Sequence, residues 1–302
     1  MTMSLFKKRE SLIQNIAYMG IMAAINVIST VIMYFVPFMF LPLSLFMPLT
    51  STVVTLFCKK RYFIIYALAT AGLCFLVSLN NISDALFYVI PSIVSGFSFG
   101  LMIEYKFPSI ISIFITGLIY SGLSYSVIPL IEYIYGQNMI EVVATVFGLK
   151  DYQYLYYVVP SFILTLGLIQ STITYVLIVT QLPKLGVDQE EKLSPYFIYG
   201  FGLLGSILSV LGFFFFKEFS IFFLLFAVFF GVYEVTSQGF LKAKIPLIID
   251  GISLLVFILI FALCYQYIEK PLGLVLINIL FDMFLITGLV YNTFTKKDES
   301  FK

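Results

Sequence analysis

Glu234, Asp250 and Asp282 each lie inside a run of about twenty apolar residues, the length that spans a bilayer core. Asn278 stands one helical turn before Asp282, and Asn26 falls near the middle of the first apolar run. A carboxylate at mid-membrane costs roughly 2.5–3.5 kcal/mol on insertion scales, so it normally faces protein or water and often works as a relay. Asp282 is about twelve residues into its run, or about 18 Å from either end at about 1.5 Å per residue. So short a side chain cannot snorkel from that depth. No Lys or Arg lies deep enough beside it to neutralise it. Asp282 is therefore expected to be protonated, to be hydrogen-bonded to an amide such as Asn278 or Gln238, or to line a cation path. A structural interhelical hydrogen bond is the favoured outcome, on which Asp282→Asn folds and works normally.

Missing residue types narrow the chemistry further. The chain has no His, so histidine ligands, histidine bases and Ser-His pairs are excluded. Cys58, Cys74 and Cys264 are far apart, odd in number and without CxxC spacing, and read as small apolar residues. Neither GxxxxGK[ST] nor GxGxxG occurs. No catalytic residue, metal site or cofactor is expected, and the chain is not read as an enzyme. Energised work would draw on a partner or an ion gradient.

These residues must be positioned by membrane helices. Of the 302 residues, 61% are hydrophobic and only 11% charged, with a mean hydropathy of +1.05. Soluble domains carry roughly 25% charged residues and lack the interior to hide so much apolar side chain. A soluble enzyme, a disordered regulator and a nucleic-acid binder are excluded. The expected fold is an all-α polytopic membrane helix bundle of about ten spans, at roughly 12–36, 38–57, 62–80, 85–103, 108–134, 155–181, 195–216, 219–238, 245–266 and 271–294. Alternating these from a cytoplasmic N-terminus puts fourteen of the seventeen Lys and Arg on the cytoplasmic side, including Lys59, Lys60 and Arg61. Lys150, Lys217 and Lys270 remain outside. The split is strongly positive-inside and places both termini in the cytoplasm. The first apolar run is too long for a signal peptide and lacks a clear cleavage site.

The polar segment 183–194, with Asp188, Glu190, Glu191 and Lys192, divides the chain into a six-span domain (1–182) and a four-span domain (195–302). The four-span part carries an unusually aromatic stretch, Phe213–Phe216 and Phe219–Phe230. The second span is punctuated by Pro37, Pro42 and Pro48. Proline removes a helix donor, which membranes tolerate only where neighbours or a cavity satisfy the freed carbonyl. In the first span Ala17, Gly20 and Ala24 share one face. Small residues permit close helix approach, so this face either packs within the chain or docks a separate membrane subunit.

Met19-Gly-Ile-Met-Ala-Ala-Ile-Asn26, the Pro-rich second span, the basic turn Lys59-Lys60-Arg61 and Ser95-Gly-Phe-Ser-Phe-Gly100 together resemble the S components of energy-coupling-factor (ECF) transporters. The pattern is most similar to the longer YybS-like bacterial membrane proteins, and it covers about residues 1–181. S components typically show Ala-x-x-x-Asn in the first helix, whereas Met22 stands four before Asn26 here. The resemblance implies a small-molecule, vitamin-like ligand held at the outer ends of the first six spans. It also implies a transmembrane coupling subunit and a cytoplasmic ATPase pair as partners. The outer regions are 37–42, the Asn80-Asn-Ile-Ser-Asp84 turn and the 135–154 connection. On this basis Asn80, Asn81, Asp84, Asp151, Tyr152 and Tyr154 are the expected substrate-binding residues, and Ala17, Gly20 and Ala24 the partner-docking ones. Amides and carboxylates orient a ligand while tyrosines cover its body. The same residues also read as an ordinary turn, a helix cap and an interfacial tyrosine belt.

Three functions compete. One is a substrate-binding, translocating subunit energised by partner ATPases; another is a stand-alone ion-coupled carrier using Asp282 and Glu234, although no convincing repeat relates the two halves. The third is an envelope scaffold or membrane enzyme, which the absence of His and of a Glu-Glu-x-x-x-Arg motif ranks last. Abundant Lys, Ile, Phe and Tyr with only Arg9 and Arg61 suggest an AT-rich bacterial genome and a bacterial cytoplasmic membrane. The lipid bilayer is the one partner that the composition itself demands, and no nucleic-acid partner is expected.

Overall fold

The computed structural model describes residues 8–36, 39–79, 83, 85–136, 138, 141, 153–179, 195–240, 244–264 and 270–299. Among these residues there are ten α-helices and no strand: α1 (Leu12–Phe35), α2 (Phe40–Phe57), α3 (Phe63–Val77), α4 (Ile90–Glu104), α5 (Ser109–Tyr135), α6 (Gln153–Val179), α7 (Pro195–Phe215), α8 (Lys217–Phe240), α9 (Lys244–Cys264) and α10 (Lys270–Glu299). Each coincides with one of the ten apolar runs to within a few residues. Among the described residues, eight helical stretches are long and apolar enough to cross a membrane, and α2 contributes a shorter apolar helix, Pro42–Phe57. The protein is an all-α polytopic membrane helix bundle.

The ends of the helices follow local chemistry. Ser11 caps α1 by accepting the Gln14 N–H at 3.2 Å. Gly136 closes α5 with a φ of 64° that favours glycine. A π-helical turn, Ala85–Val89, leads into α4, and the Ser124 hydroxyl donates to the Phe87 carbonyl within that turn at 3.2 Å. Such turns widen the hydrogen-bond ladder, so an outside donor is fitting there.

The helices form two compact units, residues 1–150 with 162–191, and residues 151–161 with 192–302. In the first, α2 and α4 press together because Gly96 and Gly100 offer no side chain. A Cβ at Gly96 would collide with the Pro48 carbonyl and Ser51, and one at Gly100 with Thr55. The Thr52 hydroxyl crosses this seam to the Gly96 carbonyl at 3.0 Å.

Pro48 lies inside α2 and has no N–H to give to the carbonyl of Ser44. The side-chain amide of Gln170, buried in α6, donates to that carbonyl at 2.5 Å and to the Ser92 hydroxyl at 3.1 Å. The irregular second span is thus satisfied by close packing. At the end of α2, the Arg9 N–H donates to the Phe57 carbonyl at 2.8 Å, and fully buried Asn15 accepts the Lys59 N–H at 2.8 Å. Lys8 and Lys60 both pair with Glu104.

In the second unit, glycines again set the seams. Gly205 of α7 lies against Phe226 and Ala227 of α8, Gly231 of α8 against Phe281 of α10, and Gly202 of α7 against Leu285 of α10. The aromatic stretch divides accordingly: Phe226 and Phe230 are buried, whereas Phe214, Phe215 and Phe216 are exposed. Helix α9 turns Ile245, Ile248, Ile252 and Leu255 outward, as a lipid-facing helix should.

Candidate functional site

Helix α10 gathers the polar residues of the second unit. It runs antiparallel to α7, since Gly202 meets Leu285, Ser206 meets Asp282 and Ser209 meets Asn278. The Ser206 hydroxyl donates to Asp282 Oδ1 at 2.7 Å. The Asn278 amide donates to the Ser209 hydroxyl at 3.2 Å, but its Oδ1 is buried with no partner among the described residues. Ser206, Asp282 and Asn278 form the polar wall of a cleft of about 310 Å³ between α7 and α10. Its remaining lining is aliphatic, including Ile207, Val210 and Ile279.

Two further carboxylates lie nearer the C-terminal end of α10. Glu234 of α8 is buried and accepts from the Asn292 amide at 3.1 Å. It fits there because Gly288 has no side chain, and a Cβ at that position would strike the Glu234 carboxylate. Asp250 of α9 is buried beside Thr287. The Thr287 hydroxyl nevertheless donates to the Met283 carbonyl at 2.9 Å, and neither Asp250 oxygen has a hydrogen-bond partner among the described residues. The expected intramembrane polar residues Glu234, Asp250, Asn278 and Asp282 thus all lie in this unit, against or on α10. Asp282 takes its hydrogen bond from Ser206 on the facing helix, where the sequence pointed to Asn278 or Gln238.

Asn26 belongs to a different arrangement, in the first unit. Its amide donates to the Tyr66 hydroxyl at 3.2 Å, its Oδ1 accepts from Thr50 at 3.0 Å, and Tyr66 donates to the Thr50 hydroxyl at 3.2 Å. Three helices are tied by a closed ring of mutually satisfied groups, which is a structural role.

The expected docking residues lie on the outer face of α1. Ala17, Gly20 and Ala24 are all exposed, and nothing lies within 4 Å of a Cβ built at Gly20. Of the expected ligand contacts, Asn80, Asn81, Asp84, Asp151 and Tyr152 fall outside the described residues. Tyr154 lies in the first turn of α6, with its side chain likewise outside the description. Asn138 accepts the Glu141 N–H at 3.3 Å, a local turn contact.

Residue-type reasoning did not single out Gln170, Ser206 or Ser209. A signal existed for Gln170: an amide at mid-span, in a chain whose second span must recruit an outside donor for Ser44. None existed for the serines, because small hydroxyl residues recur along most of these helices and usually bond their own backbone. No family model, curated protein or solved structure matches this chain.

Proposed function

We propose that this protein is the substrate-binding and translocating membrane subunit of an uptake system for a small, vitamin-like molecule, energised by partner ATPase subunits. The observation that carries this reading is the open small-residue face of α1. A glycine within a helix costs up to about 1 kcal/mol relative to alanine, and Gly20 returns no close packing inside this chain. Close backbone approach by a second membrane subunit supplies a return. In this reading the chain lies in a bacterial cytoplasmic membrane, with the Lys59–Arg61 turn in the cytoplasm and Asp151 outside.

The test is co-purification with membrane and ATPase partners. Gly20→Leu or Ala24→Leu leaves the chain inserted but abolishes partner recovery. Unchanged recovery, or a chain that never brings down an ATPase, removes this reading. Cysteines placed at positions 59–61 and 151 test the orientation with an impermeant thiol reagent on intact cells. Labelling of the 59–61 turn from outside overturns it.

A second reading, an ion-coupled carrier, is favoured by Asp282 and Asp250. Neither has an ion pair among the described residues, which is the condition under which an intramembrane carboxylate exchanges a proton or a cation.

A further inference from the structure

We infer that the cleft between α7 and α10 is a binding site for one small alkali-metal cation, of sodium size, held by Asp282, Asn278 and the hydroxyl of Ser206. The argument is an accounting of donors and acceptors. On the polar wall, the Asp282 carboxylate receives one hydrogen bond among the described residues, from Ser206. The Asn278 amide nitrogen is committed to Ser209. Asn278 Oδ1 is left without a donor, although the residue is only 3% exposed and lines the cleft. Acceptor oxygens therefore outnumber donors, and one negative charge has no counter-charge at the wall. A buried acceptor without a partner costs about 1–3 kcal/mol and an unpaired charge more. Both deficits are met by one ligand that is positive and takes oxygen donors.

Charge decides between ions. Asp282 is the one carboxylate among the described lining residues, so a monovalent cation makes the wall neutral and a divalent one leaves an excess charge in a low-dielectric setting. Oxygen donors suit hard cations. Asp282 and Asn278 are four residues apart on one helix face, about one turn of about 5.4 Å. Oxygens from both turns can close on an ion with contacts of about 2.3–2.6 Å, the size class of sodium rather than of an organic ammonium. The antiparallel register adds the Ser206 hydroxyl of α7 opposite Asp282, while Ser209, outside the cleft lining, takes the Asn278 amide. The aliphatic remainder of the cleft keeps competing water few, which strengthens the electrostatic hold.

This names the ion site that the carrier reading needs, and its test reads binding rather than transport. Failure of sodium binding overturns the site without touching the docking by α1, and sodium binding without solute movement keeps the site while removing the carrier reading. The experiment uses the purified full chain in detergent. Thermal unfolding is followed in sodium chloride against choline chloride at equal ionic strength, and binding is measured directly with radioactive sodium. Ligand binding to the folded state raises the unfolding temperature saturably, so a rise with sodium that choline does not give is expected. Asp282→Asn is expected to abolish both signals. Should Asp282→Asn not fold, Asn278→Ala and Ser206→Ala keep the carboxylate and are each expected to weaken the apparent sodium affinity by about tenfold or more, from the loss of one oxygen ligand. The inference is overturned by equal stability in sodium and choline, or by a sodium response that survives in Asp282→Asn. A response to pH alone also overturns it, since that marks Asp282 as a protonated donor to Asn278.

Discussion

The two units of this protein place their buried amides and carboxylates differently. In the first, Asn26, Thr50 and Tyr66 close a ring in which donor and acceptor match, and Gln170 delivers its amide to the carbonyl that Pro48 frees. In the second, Asp250 keeps two partnerless oxygens and Asn278 keeps one, while Asp282 borders a cleft. Polar groups satisfied by one another hold helices in place; polar groups left short of donors hold something else, or change protonation. The first unit uses its buried amides as internal ties, although the Tyr18, Thr70 and Thr174 hydroxyls have no hydrogen-bond partner there among the described residues; the second leaves carboxylate and amide oxygens short of donors.

That contrast breaks first at the helix seams. Gly96→Leu drives a side chain into the α2 backbone, where the surroundings are backbone and cannot yield. The loss should be at or beyond the about 3 kcal/mol upper range for overpacking, read as a collapse of folded protein recovered in detergent. Gln170→Leu is expected to cost about 1–3 kcal/mol, because it strands the Ser44 carbonyl without a donor. Its measure is the unfolding midpoint in mixed detergent, and an unchanged midpoint removes the claim that α6 completes α2. Tyr66→Phe opens the ring around Asn26 and should cost about 0.6–2 kcal/mol, the range for interhelical hydrogen bonds in membranes.

The matching substitution in the second unit sharpens the comparison from the other side. Asn278→Ala removes an amide that is only half satisfied, and in sodium-free buffer it should cost about 0.5–1.5 kcal/mol, the net worth of its one hydrogen bond to Ser209. A loss as large as that of Gln170→Leu would show that both units use polarity alike. The smallest effect concerns Cys58, which sits just past α2 in the closed unit. Burial pushes its thiol up to about 11, against the nearby Arg9 guanidinium, which lowers it. At pH 8 only about one thiol in a thousand is then the reactive thiolate. Alkylation in the folded protein should be slow and rise about tenfold per pH unit up to about pH 11.

Much of the architecture was legible beforehand, and for a physical reason tied to particular residues. The ten apolar runs fell within a few residues of the helices, because each run must span the bilayer core. The proline at position 48 announced that α2 needs a donor from elsewhere, though not that Gln170 would be the donor. Glu234, Asp250 and Asp282 announced themselves because a bilayer penalises each one singly. The hydroxyls of Ser206 and Ser209 carry no such penalty and were invisible. The face of Ala17, Gly20 and Ala24 was visible as a stripe, but whether it pointed inward was not.

The sequence by itself determined that this is a polytopic membrane helix bundle, where its apolar runs lie along the chain, and that it carries no histidine. Hydrophobic thickness acts on contiguous residues, so length and composition suffice. Tertiary structure alone decided which polar groups meet: Gln170 and Ser44 are 126 positions apart, and Ser206 and Asp282 are 76. It also decided that the α1 stripe faces outward while Asp250 faces inward. Those outcomes depend on how each helix is rotated about its own axis, and that rotation is set by the small residues of its neighbours, Gly96 against Pro48 and Gly288 against Glu234. No property of a single span encodes it, because one apolar helix can present any face to lipid until another helix takes that face away.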